Sequence, residues 1–66
     1  MMLDVQCWVD GKEVLKLVLG GTAPKRAVEV ALEMLEWQFQ CRMAWMGEEV
    51  EAGVIRIMAV PLAGER

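Results

Sequence analysis

The chain contains no serine, histidine, tyrosine or asparagine, and Thr22 is its single threonine. Without serine and histidine, the Ser-His and Cys-His pairs of nucleophilic catalysis are excluded. A Thr22 nucleophile would need a neighbouring base that the sequence does not name. Its place just ahead of Pro24 suits a helix cap instead. Zinc would have to be held by Cys7, Cys41 and carboxylates alone, an unusual donor set, and the two cysteines are not in CxxC spacing. The stretch "LGGTAPKR" lacks the GK[ST] ending that cradles phosphate, and no dinucleotide fingerprint is present. These absences lead to the expectation of a protein that is not an enzyme and takes no metal or cofactor.

Positive charge is also scarce. Seven basic residues are scattered among ten acidic ones, for a formal charge of −3. Binding to a phosphate backbone requires a clustered basic stripe, so direct nucleic-acid binding is not expected. The apolar runs are too short to span a bilayer, and no signal-peptide pattern precedes Asp4. A soluble, cytoplasmic protein is expected, with Cys7 and Cys41 as reduced, structural thiols. The shortage of polar and thermolabile side chains fits a thermophilic or GC-rich source.

What the chain does have is apolar surface. Apolar residues and glycine together make 43 of the 66 residues, against roughly 45–50% in an ordinary soluble domain. A single domain of this length has much surface per residue and should be less apolar, not more. The excess implies that a second copy or another protein covers part of it.

Residues 2–19 read as a hairpin. Leu3, Val5, Cys7 and Val9 alternate with Asp4, Gln6, Trp8 and Asp10, and after Asp10-Gly11 a row of Leu15, Leu17 and Leu19 alternates in turn. Opposed residues of an antiparallel pair point to one side. A strict two-residue turn with regular pairing would set Val5 against Lys16, so a three-residue loop with a glycine bulge is preferred. A helix is expected over 23–38, with Gln38 inside its apolar arc marking an end or bend near Trp37. Val28, Ala31, Leu32, Leu35 and Phe39 form the centre of that arc, and Val30, Met34, Trp37 and Cys41 a second flank. Strands follow at 42–46 and 53–60, joined by the acidic "GEEVEA", and 61–66 is a tail. The expected fold is α+β, ββαββ, one helix on a small, mainly antiparallel sheet.

Two surfaces emerge as candidate interfaces. One is the helix flank Val30, Met34 and Trp37. The other is the far sheet face around Trp8 and Met58, with Val14, Val18, Val54 and Val60, where a solvated sheet should be more cleanly polar. Acidic residues gather in two groups: Glu29, Glu33 and Glu36 along the helix, and Glu48, Glu49 and Glu51 in the connection. Solvated surface accounts for both, while an acidic face aimed at a basic partner is the sharper alternative.

Two stretches, "VDGKEV" (9–14) and "MGEEVEAGVIRIMAVPLAG" (46–64), carry a resemblance to the β-grasp fold of ubiquitin-like proteins and small sulfur carriers. The resemblance implies a hairpin, a helix and two closing strands. Sulfur carriers act through a C-terminal Gly-Gly, whereas this sequence ends Ala63-Gly64-Glu65-Arg66. Fold resemblance does not transfer function. The expectation is therefore a non-enzymatic protein-interaction or regulatory module that self-associates, as a dimer, and binds another protein. The alternatives are an acidic inhibitor of nucleic-acid-mimic type, phage- or defence-related, and a β-grasp-like carrier or small-ligand-binding protein.

Overall fold

A computed structural model describes residues 2–21 and 23–62. The capping role read for Thr22 and most of the tail lie outside the described residues. The elements run β1 (Met2–Val9), β2 (Lys12–Gly20), α1 (Pro24–Phe39), β3 (Met43–Glu51) and β4 (Val54–Pro61). They form an α+β fold in which one helix packs on a four-stranded mixed sheet of order β2-β1-β4-β3. Both hairpins are antiparallel, and the central β1–β4 pair is parallel.

The period-two pattern of β1 becomes burial directly. Leu3, Val5, Cys7 and Val9 are buried beside Ile55, Ile57 and Ala59 of β4. The leucine row does oppose them, with Leu19 against Leu3, Leu17 against Val5 and Leu15 against Cys7. The device that achieves this differs from the three-residue loop. Val9 pairs with Lys12 across a two-residue turn in which Asp10 and Gly11 both take positive φ, 54° and 75°. Such a turn matches the right-handed twist of the strands. The parity change comes next, where Val14 is the extra residue of a β-bulge between the Glu13–Trp8 and Leu15–Cys7 pairs. Val14 accordingly leaves the far face assigned to it and packs against the core cluster.

The second hairpin repeats the device. Glu51 pairs with Val54 across Ala52-Gly53, and Met46 is the extra residue between the Trp45–Ala59 and Gly47–Met58 pairs. The strand expected at 42–46 thus continues to Glu51, and "GEEVEA" is strand rather than connection. Pairing with the buried β4 outweighs the weak strand preference of Glu48, Glu49 and Glu51.

Pro24 occupies the first helical turn, where its missing N–H is no loss. The helix does not stop at Trp37 but runs on to Phe39. Gln38 stays in register because its Nε2 donates to the Val14 carbonyl at 3.3 Å, a group at the bulge in β2. The end comes at Gln40, in the left-handed conformation (φ 56°), with the Cys41 N–H donating to the Glu36 carbonyl at 3.3 Å. This is a Schellman-type closure. The buried line of the helix is Ala27, Ala31 and Leu35, with Val28 and Leu32 half-buried beside it. Two alanines let the helix backbone approach the sheet closely. Phe39, at the last helical position, is left exposed rather than central.

Leu35→Ala should therefore lower stability by about 3 kcal/mol, the usual range for a fully buried leucine being about 2–5 kcal/mol. Phe39→Ala should cost less than half as much. Urea unfolding of the two variants beside the parent measures both, and equal losses would contradict this division of the helix.

Candidate functional site: the uncovered apolar surfaces

The helix packs chiefly over β3, β1 and β4. Leu15, Leu17 and Leu19 of β2 are consequently only half-buried, although they face the helix side. Two hydrogen bonds show how the helix is turned. Gln38 reaches Val14 of β2, whereas the Glu36 carboxylate accepts from the Met43 N–H of β3 at 3.1 Å. At about 100° per residue, Val30, Met34 and Trp37 then fall on the β2 side. Val28, Leu32 and Phe39 fall on the β3 side. Trp37 is 83% exposed, Met34 is exposed at 38%, and Val30 is half-buried. The flank and the leucine row thus lie on the same side of the molecule, toward the β2 edge. An open concavity of about 510 Å³ lies at the C-terminal end of the helix, lined by Met34, Glu36, Trp37, Gln38 and Gln40.

Trp8 and Met58 belong to a different surface. They are paired neighbours on the face of the sheet that carries no helix. Cross-strand rows on that face run Val18–Asp4–Val54–Glu51, then Lys16–Gln6–Arg56–Glu49, then Glu13–Trp8–Met58–Gly47. The middle row is wholly polar and separates Val18 and Val54 at one end from Trp8 and Met58 at the other. There Trp8, Met46, Met58 and Val60 line an open concavity of about 520 Å³ with Arg56 and Glu49 at its margin. Arg56 is also committed to Glu51, Nη1 to Oε1 at 3.4 Å.

The six acidic residues are not gathered on one surface. Glu29 pairs with Arg26 at 3.0 Å. Glu36 is half-buried, bound to the Met43 N–H, and lies 3.9 Å from Arg42 Nε. Its role is to tie the helix end to β3. Glu48 lies on the helix side of β3, opposite Ile57, while Glu49 and Glu51 lie on the far side, opposite Arg56 and Val54. Glu48 shares a third concavity with Glu29, Lys25, Val28 and Trp45. Glu33 is exposed on the helix.

Trp45, which the sequence offers with Trp8 and Trp37 for a pocket or a protein-binding surface, and Val50, which it does not single out, face the helix side of β3, yet are 51% and 55% exposed. The signal that could have found Val50 is width. A helix about 10 Å across cannot cover four strands spaced about 4.8 Å apart.

The thiols sit in different environments. Cys7 has no exposed surface, and burial pushes its pKa up to about 11. Cys41 is half-buried, with Sγ 3.8 Å from the Met43 sulfur. Among the described residues, no three of Cys, Asp and Glu converge to hold a metal ion. No helix there is long and apolar enough to cross a membrane.

Comparison with family models, with curated proteins and with solved structures yields no match to this chain.

The raised pKa of Cys7 sets a sign for alkaline stability. Above the thiol's ordinary value, 9.0, the unfolded chain ionises first, so stability should fall as pH rises toward 11. Up to about 2–3 kcal/mol is involved. Cys7→Val should flatten that fall in urea titrations between pH 8.5 and 11. Identical slopes for parent and variant would place the effect elsewhere.

Proposed function

We propose that this chain is a small, non-enzymatic protein-interaction module whose first partner is a second copy of itself. The observation that carries this reading is Trp37, 83% exposed on a helix flank turned toward the half-buried leucine row of β2. Tryptophan in such a position loses apolar contact with water only when another chain covers it, and tryptophan is a residue type enriched where binding energy concentrates. Met34, Val30 and the leucines lie on the same side of the molecule, so Trp37 is not a single scattered apolar residue of the kind ordinary in a monomer.

The fold supports a β-grasp-like reading at the level of topology. A hairpin, a helix and a second hairpin place the first and last strands side by side and parallel at the sheet centre. That arrangement leaves both sheet edges and one whole face for partners. It assigns no chemistry to them.

Light scattering on the native protein and on Trp37→Glu tests the proposal. The native chain should have twice its monomer mass of 7.4 kDa. The variant should dissociate at least about thirtyfold more readily, a loss of about 2 kcal/mol, with its circular dichroism unchanged. A native protein that remains monomeric at 100 µM overturns self-association.

A further inference from the structure

We infer that the second copy joins through β2, edge to edge, so that two four-stranded sheets become one continuous sheet with both helices on the same face. The inference rests on the self-association proposed above and names its geometry.

The two edges of the sheet are not equivalent. An exposed edge strand templates further pairing unless charge, proline or a bulge blocks it. β3 carries a mid-strand bulge at Met46, followed by Glu48, Glu49 and Glu51. Two such edges would bring like charges together at the point where they met. β2 has its bulge at Val14, close to the turn, and runs in regular register from Leu15 to Leu19 with Lys16 as its one charge there. The unblocked edge is also the one beside the uncovered leucines and Trp37.

A two-fold axis makes this edge complementary to itself. Identical antiparallel strands keep their faces only when the pair is centred on a residue, since a one-residue slip turns every side chain over. Centring on Lys16 would set that lysine against the partner's Lys16. Centring on Val18 would leave Leu15 and Lys16 opposite glycines. Centring on Leu17 uses the whole stretch: Leu15 meets the partner's Leu19, Leu17 meets the partner's Leu17, and Lys16 meets the partner's Val18. Like charges do not face each other. The two leucine rows become one apolar floor on the helix side, and the flanks Val30, Met34 and Trp37 of both helices lie above it.

This register is testable at Val18, which is 59% exposed on the far face and can be changed without touching the core. Val18→Lys creates two lysine–lysine oppositions per dimer and should raise the dissociation constant about two- to thirtyfold. Val18→Glu creates two opposite-charge pairs and should lower it by a similar factor. Combining Lys16→Glu with Val18→Lys should restore affinity to near the native value or better. As a second measurement, independent of any variant's folding, hydrogen exchange on the native protein should show alternate amides of residues 15–19 gaining protection as concentration rises through the dissociation constant. A native dimer with unprotected β2 amides, or one indifferent to all three charge changes, overturns the edge pairing while self-association stands. A native monomer overturns both.

Discussion

One helix packed on four strands is the constraint from which the rest of this molecule follows. The helix is about 10 Å wide and the sheet's strands are about 4.8 Å apart. Full cover is geometrically impossible, so the chain must choose which strands to bury. It buries the parallel centre, where Val5, Cys7, Ile55 and Ile57 lose all exposure beneath Ala27, Ala31 and Leu35. The edges carry the consequence. Leucines on β2 are half-covered, and Trp45 and Val50 on β3 stand largely open.

Both hairpins manage this constraint with the same two parts, a tight two-residue turn and a single extra residue. The turn fixes where the strands reverse, and the bulge resets which side chains face the helix. Without the bulge at Val14, Lys16 would lie opposite Val5 under the helix and the leucines would face outward. The bulge has a second effect, because Gln38 reaches the Val14 carbonyl from the helix. A polar residue within an apolar arc therefore does not end the helix. Glu36 acts similarly at the opposite side, accepting from the Met43 N–H as β3 begins. These two contacts fasten the helix at its C-terminal end to both sheet edges.

Much of this was legible in the sequence, and the parts that were not share a cause. Alternation in "LDVQCWV" and the Asp10-Gly11 pair specify the first hairpin and its faces, because period and turn chemistry are local properties. The loop length was not legible. A three-residue loop and a two-residue turn followed by a bulge produce the same facing of Leu15, Leu17 and Leu19. Glu48 to Glu51 read as a loop because their strand character comes from pairing with β4, a long-range contact. The candidate surfaces were legible as composition and as helical spacing. Which sheet edge the helix flank borders was not, since nothing local says that Trp37 lies on the β2 side rather than the β3 side.

Surface charge separates the uncovered regions further. The helix-free face is crossed by the polar row Lys16–Gln6–Arg56–Glu49, which already supplies water-compatible groups where a partner would otherwise have to match them. The β3 edge carries three carboxylates, with Glu51 engaged by Arg56. Only at the β2 edge, among the described residues, do a regular strand edge, half-covered leucines and an exposed tryptophan meet. Each alone is ordinary in a small domain. Together they set apolar surface where hydrogen-bonding groups of the backbone are also available, and a strand of another chain can satisfy both demands at once. A helix or a small molecule laid on the same place would cover the leucines but leave the strand edge to water. That difference favours a strand as the occupant, and two-fold symmetry makes the chain's own β2 a strand that fits.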